Sequence, residues 1–525
     1  MEKIDYKNLE ATDLICRSNK AYIYKLKNGD ILKIFHPFIL DLYKKSNLKL
    51  EEKIISAKPF KTVPEIIVPK ISVYDDNQFI GYTCKEATGI DYNSYDDTLS
   101  ENEFHNLNRY AKEYEKLEDI IKRGNREKIV FPDFCTCDNI FIDENGAITA
   151  LENAGVPILM QAYPDEIGKM DFAHRRDAFC GKFSVTDVFE QYKKPYTVFP
   201  PHVVHPLSKE FAENLRDFAA VCRVVKGMKK LNVGCIGART TAFKTVRFDE
   251  VTAQRYGINI ESFDLSELIF NVQNKNDDDE DVIIKRGILE NYTNCSCVPE
   301  ENMNTLAKTS VVLDEYIKEY HLDALTLRCW NEMEDILHIT PCVLLGELND
   351  RGIIASCEMD LCSALTMKAL SLASEEASTC LDWNNNYGEE ENKVILFHCG
   401  PVPQSLMTCK GNVIDHKMIA KTAPGHGWGA NEGRIRPFDM TFSNCKMEDG
   451  KIYIYFSEGR FTDDVIEDGY FGCGGVAEIP NLESKLNKLA RNGFKHHTTV
   501  GVGHMKKVLE EAFKYYLGYE IVNID

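Results

Sequence analysis

Between residues 209 and 357 the apolar residues switch repeatedly between a helical period and short unbroken runs. That alternation narrows the possible folds more than any other feature. Phe211, Leu215, Phe218, Cys222 and Val225 recur at helical spacing and stop at Gly227, which predicts a helix closed by a glycine C-cap. Leu231 to Ala238 (LNVGCIGA) is a continuous apolar run, the pattern of a strand buried on both faces. Thr305 to Tyr320 is helical again, and Leu322 to Trp330 (LDALTLRCW) is strand-like. Helices alternating with buried strands predict a parallel sheet covered on both sides.

The last third follows a different pattern. Pro437 to Asn444 (PFDMTFSN) and Lys451 to Gly459 (KIYIYFSEG) alternate apolar and polar residues around Asp449-Gly450, a hairpin signal that predicts antiparallel β structure. Before residue 150 the chain is dense in Lys, Asn, Asp and Tyr and poor in glycine. A chain of 525 residues exceeds what one core organises, so several domains are expected.

Charge and cysteine usage exclude some functions. A net charge of -20 argues against nucleic-acid binding, which needs clustered Lys and Arg, and suits a small neutral substrate. The acidic run Asn274 to Asp281 is read as a solvated loop. There is no run of about 18 apolar residues to cross a membrane, and Met1 to Glu10 carries charge where a secretory signal would be apolar. The 18 cysteines include no C-x-x-C pair; Cys135/Cys137 and Cys295/Cys297 are the close ones. Others lie inside apolar runs, where a reduced Cys acts as a small hydrophobe, so a cytoplasmic, reducing location is expected.

Two acids stand beyond strand-like runs: Glu332 after LTLRCW and Asp360 after GIIASCEM. Neighbouring strands would bring both to one sheet edge, where open α/β sheets bind ligands. The same positions also suit acids at helix N-termini. The segment His496 to His504 (HHTTVGVGH) adds imidazoles, of which at most one of the doublet is expected to ligate. Carboxylates with one imidazole suit Mn²⁺ or Mg²⁺.

With these residues in view, the sequence resembles the L-fucose/L-arabinose isomerases. The resemblance is carried by GVPILMQAYPDE (Gly155 to Glu166), RRDAFCGKFSV (Arg175 to Val185), IGARTTAFKTVRFDE (Ile236 to Glu250) and RCWNE (Arg328 to Glu332). ASCEMD (Ala355 to Asp360), LDWNNNY (Leu381 to Tyr387), LFHCGPVP (Leu396 to Pro403) and HHTTVGVGH continue it in order. It implies an aldose–ketose isomerase with Mn²⁺, or Mg²⁺ or Co²⁺, held by Glu332, Asp360 and His497, with His496 as the fallback. Glu332 and Asp360 would also shuttle protons. Arg239 is a candidate sugar-hydroxyl or anion contact, with a surface salt bridge nearly as good a reading. Trp330 and Trp383 could stack on the sugar, although core aromatics are the commoner reading, and His398 is at best a supporting residue. A small-molecule sugar and a homo-oligomer, trimeric or hexameric, are the implied partners.

The first 150 residues are similar instead to a protein-kinase-like small lobe and the start of a large lobe. Ala21 to Phe35 reads as a hairpin turning at Asn28-Gly29, and Lys33 falls at the phosphate-contacting lysine, with Glu51 or Glu52 to pair it. Phe131 to Asp143 (FPDFCTCDNIFID) resembles a catalytic loop, with Asp133 as base and Asn139 as magnesium ligand. No glycine-rich loop precedes Lys33, and Glu152 stands where the D-F-G aspartate belongs, so this vestige is read as inactive. The expected fold class is α/β: a doubly wound Rossmann-like domain, then a mostly antiparallel β C-terminal domain, with an N-terminal α+β kinase-like small lobe. The domains are 1–150, a remnant of the isomerase N-terminal domain at 151–208, 209–356 and 357–525. The functional expectation is a ketol isomerase of an L-fucose- or arabinose-type aldose or a related deoxy- or sulfo-sugar. The alternatives are an impaired fusion acting as a binding or regulatory module, and a kinase-like phosphotransferase.

Overall fold

The computed structural model describes residues 2–9, 11–17, 21–27, 30–35, 71–75, 78–85 and 156–525, the last without 172, 173 and 468. The chain divides into two compact units, Met1–Leu107 and Asn108–Asp525. The first contains strands β1 (Glu2–Asp5), β2 (Ala11–Arg17), β3 (Ala21–Leu26), β4 (Asp30–Phe35), β5 (Ile71–Asp75) and β6 (Gln78–Lys85), in the order β1-β5-β6-β4-β3-β2. The predicted hairpin is β3–β4, with Tyr24 opposite Leu32, and its two turn residues lie outside the described residues. Leu26 and Leu32 are buried between these strands. Lys33 lies on β4, the third strand of the β2–β3–β4 meander. Glu51, Glu52, Asp133, Asn139 and Glu152 lie outside the described residues.

In the second unit, β7 (Leu231–Ile236), β8 (Ile258–Phe263), β9 (Ala324–Leu327) and β10 (Ile354–Cys357) form a wholly parallel sheet ordered β8-β7-β9-β10. Period-two alternation divides its side chains between two cores. Val233, Cys235, Ala324 and Ile354 join residues of helices Lys209–Met228 and Leu361–Ser374 in one core. Ile236, Leu325, Leu327 and Ala355 join helices Leu265–Asn274, Glu300–Glu319 and Cys342–Asp350 in the other. Both faces are covered, as continuous apolar runs require.

The structure corrects the reading of Gly227. The helix runs on to Met228, and a Cβ at Gly227 would lie 2.4 Å from Leu372 of helix Leu361–Ser374. The glycine lets two helices approach; it does not end one.

The antiparallel part comprises β11 (Ser378–Asn386), β12 (Lys393–His398), β13 (Asn412–Asp415), β14 (Trp428–Arg434), β15 (Phe438–Glu448), β16 (Lys451–Phe461), β17 (Cys473–Glu478), β18 (His497–Val502) and β19 (Glu520–Ile521). Its order is β13-β14-β17-β12-β11-β18-β15-β16-β19, and a further pairing of β16 with β17 closes the middle six strands into a ring. Closure removes the exposed edges of those strands. The β15–β16 hairpin turns at Asp449 (φ 51°) and Gly450 (φ 73°), the double positive φ that a type I′ turn needs.

Residues 156–208 pack against this body. Leu159 and Phe199 enter the first core, and Thr197 Oγ1 lies 2.9 Å from the Tyr516 hydroxyl. The cysteines from Cys180 to Cys473 are free thiols. Among the described residues no helix is long and apolar enough to cross a membrane.

Helix Leu361–Ser374 joins the parallel sheet to the ring and lies against β18 at Gly501, where an added Cβ would stand 2.7 Å from Leu370 Cβ. Leu370 Cβ cannot swing away as a side-chain tip can. Gly501→Ala is therefore expected to destabilise the protein by about 1–3 kcal/mol, read from the midpoint of denaturant unfolding.

Candidate active site

Chain connectivity places the site. β10 ends at Cys357, and the next residues, Glu358 (φ 62°) and Met359 (φ 60°), both adopt the left-handed conformation. Two successive non-glycine residues there cost about 1–3 kcal/mol each, a strain found mostly at functional positions. The turn returns Met359 N–H to Leu327 O of β9 at 3.3 Å and leaves Asp360 as the N-cap of helix Leu361–Ser374. That helix leads into β11, where Asp382 is the direct cross-strand partner of His497 on β18. Side chains opposite each other in an antiparallel pair share a face. One short path therefore gathers Glu358, Asp360, Asp382 and His497.

The His497 ring is the common point, and it is 1% exposed. Its Nδ1 lies 2.7 Å from Asp360 Oδ2, while its Nε2 lies 3.0 Å from Glu358 Oε2 and 3.5 Å from Asp382 Oδ1. The Nε2 contacts lack hydrogen-bond geometry: His497 Nε2 and Asp382 Oδ1 are both buried atoms without a hydrogen-bond partner. Asp382, His496 and His497 form one group whose ligand atoms lie within 4.8 Å of one another, and Cys380, His398 and His497 form another. The His496 and His497 rings are 4.3 Å apart, and Phe243 lies against both, at 5.5 and 5.9 Å.

Asp360 is fully buried and fully satisfied. Its Oδ1 accepts from Lys495 Nζ at 2.7 Å and Ser363 N–H at 3.2 Å. Its Oδ2 accepts from the Ser363 hydroxyl at 2.6 Å and from His497 Nδ1. Burial alone would raise its pKa, but Lys495 and His497 hold it far below the usual carboxylate range. Glu358 is also pushed up by burial, and His497 and His398 bring it below its ordinary value. For His497 burial acts downward, whereas Cys380, Asp360 and Glu358 lift it well above the ordinary histidine value.

The residues singled out in the sequence are distributed unevenly. His497 and Asp360 meet, but Asp360 uses its four acceptor contacts on a helix cap, a lysine and the far side of the imidazole. Glu332 follows β9, beside β10 as expected, yet it points to Arg328 Nη2 at 2.8 Å and its side chain is 43% exposed; Glu332 and Glu358 both lie outside the two close groups. Arg239 donates to the carbonyls of Thr240 and Thr241, both at 2.8 Å. Trp330 sits 5.4 Å from Phe243 and is partly exposed, whereas Trp383 packs edge-on against core Phe442. His398 is buried at the end of β12, 5.9 Å from His497. Its Nδ1 accepts the Cys399 N–H at 2.9 Å, which leaves the proton on Nε2, a buried atom without a hydrogen-bond partner.

Glu358, Asp382 and Lys495 were not anticipated. The first two lie inside quoted motifs, ASCEMD and LDWNNNY, and each had a signal. Glu358 is the first residue past a buried strand, the position the strand-end rule favours over Asp360. Asp382 is a lone acid following the buried run Ser378 to Leu381.

Two stretches of the chain match known families, and most of it aligns with known proteins. Residues 111–229 match the family model described as fucose/sulfoquinovose isomerase, N-terminal domain, and residues 396–525 match L-fucose isomerase, C-terminal domain. The first match begins inside the stretch that resembles a kinase fragment. The chain is 23% identical over 424 residues to a sulfoquinovose isomerase of Priestia aryabhattai, covering 76% of this chain and 86% of that protein. It is 23% identical over 404 residues to one of Alkalicoccus urumqiensis, covering 73% and 83%. These similarities support an aldose–ketose isomerase enzyme, of a kind that is typically metal-dependent.

The different settings of the two expected acids give a direct measurement. Asp360→Ala strands Lys495, which is 5% exposed, and should cost about 3–5 kcal/mol. Glu332→Ala breaks a half-exposed pair and should cost about 1 kcal/mol or less. Urea unfolding of both variants checks the contrast.

Proposed function

We propose that this protein interconverts an aldose and a ketose at a divalent-cation site formed by Glu358, Asp382 and His497. The observation that carries this reading is the convergence of two carboxylate oxygens on the unpartnered Nε2 of a buried histidine whose other nitrogen is already bonded. Two carboxylates and one imidazole are a donor set for Mn²⁺, Mg²⁺ or Co²⁺. When bound, such a cation supplies stabilisation for the negative charge that develops on two adjacent sugar oxygens.

The protein's own groups provide the proton chemistry. Glu358, held ionised within a nearly dry pocket, accepts the proton from the carbon next to the carbonyl. Glu358 then returns that proton to the neighbouring carbon, while Asp382, on β11, takes the hydroxyl proton and passes it to the former carbonyl oxygen, so carbonyl and hydroxyl exchange places with no net oxidation and no added water. His398 Nε2–H donates to a sugar oxygen. Phe243 and Trp330 form an apolar wall that excludes water and packs a sugar face.

The substrate class in this reading is an L-fucose- or arabinose-type aldose or a related deoxy- or sulfo-sugar. The sulfoquinovose isomerases among the relatives favour a sulfo-sugar. So does the loop after β7, where Arg239, Lys244 and Arg247 stand near Phe243 in the sequence of a chain with net charge -20. For the N-terminal unit, the position of Lys33 on the third strand of a meander supports a kinase-like small lobe. We assign it no phosphoryl transfer; ATP hydrolysis that vanishes in Lys33→Ala would overturn that assignment.

Glu358→Gln tests the main reading. The amide keeps the shape of the carboxylate but cannot take the proton. With Mn²⁺ and a panel of aldoses including a sulfo-sugar, ketose formation should fall by about 10²- to 10⁴-fold, while Glu332→Gln keeps most of its activity. A Glu358→Gln enzyme with normal turnover rejects the assignment, and a wild-type protein inactive on every aldose favours the binding-module alternative.

A further inference from the structure

We propose that Lys495 is a positioning residue for the cation site: its ammonium pins Asp360, and Asp360 in turn sets the His497 ring so that Nε2 faces Glu358 and Asp382. The inference rests on the ligand assignment above.

The chain of contacts is short and almost dry. Lys495 Nζ lies 2.7 Å from Asp360 Oδ1, with side chains 5% and 0% exposed, and Asp360 Oδ2 lies 2.7 Å from His497 Nδ1. A carboxylate with no exposure persists as an anion only when a positive charge and several donors replace its water. Ser363 contributes two of those donors, and Asn444 Nδ2 donates to His497 O at 2.8 Å, fixing the backbone beneath the ring. Imidazoles that ligate a metal through one nitrogen commonly donate the other N–H to such a carboxylate, which fixes tautomer and orientation. Lys495 is only two residues before His497, so the segment that supplies the ligand also supplies the charge that holds its support.

Positioning and simple Coulomb attraction make opposite predictions. A nearby ammonium repels a dication, so on charge alone Lys495→Met would bind Mn²⁺ more tightly. If Lys495 acts by holding Asp360, the same variant leaves a buried carboxylate unpaired, the His497 support loosens and binding weakens.

Mn²⁺ affinity of the full-length protein, read from the electron paramagnetic resonance of free Mn²⁺, decides between them. K495M should weaken binding by about 10- to 100-fold, and K495R, which keeps the charge, should recover most of the loss. Unchanged or tighter binding in K495M overturns the proposal, as does a K495R variant as weak as K495M. If K495M does not fold, D360N/K495M carries the test, because it removes both charges together and keeps an oxygen for His497 Nδ1. Affinity near wild type supports the proposal, and a folded double variant with no Mn²⁺ binding overturns it. E358Q, measured alongside, loses Mn²⁺ if the ligand assignment holds. Retained affinity there breaks that assignment, whatever Lys495 does.

Discussion

A carboxylate with no solvent exposure is the constraint around which the second unit is arranged. Asp360 cannot remain ionised in that position unless protein groups replace its hydration, because desolvating an anion costs several kcal/mol. The replacements come from distant parts of the chain: Ser363 on the helix that Asp360 caps, Lys495 before β18, and His497 at its start. Satisfying one buried charge thus ties the parallel sheet, through its edge strand β10, to the antiparallel ring. The tie also fixes the face that His497 turns toward the site.

Glu358 sits on the other side of the same constraint. The helix must begin at Asp360 to place the cap, and Met359 must still return to β9. Those two demands leave Glu358 and Met359 in left-handed backbone that neither prefers. The surrounding contacts hold the strain, and its result is a carboxylate projecting from the strand end toward the imidazole. β11 contributes the second carboxylate without strain, since an acid directly opposite His497 in an antiparallel pair already shares its face.

Much of the fold is legible in the sequence because it follows from period. The runs LNVGCIGA and LDALTLRCW became neighbouring parallel strands, and Asp449-Gly450 became the turn joining β15 and β16. Closure of the ring is not legible, since it depends on a short pairing between β16 and β17 that no local pattern records. Gly227 reads as a cap because glycine commonly ends helices, but what determines it is Leu372, far away in the chain. The candidate site shows the same division. Its strands, its imidazole doublet and its donor chemistry are visible in residue types. The distribution of roles among nearby acids is not, because it depends on which carboxylate the fold buries against a lysine.

Charge counting explains why roles had to be divided at all. Glu358, Asp360 and Asp382 bring three negative charges around one imidazole, and Lys495 removes one of them. Asp360 is the carboxylate that the lysine neutralises, whereas Glu358 and Asp382 lie on the Nε2 side of His497. The proposed isomerisation, which moves a proton between adjacent carbons, needs a carboxylate that is not already fully committed to donors. Two acids only two positions apart, Glu358 and Asp360 in E-M-D, therefore have different surroundings. The first faces Nε2 of His497, and the second, paired and capped, is bonded to its Nδ1.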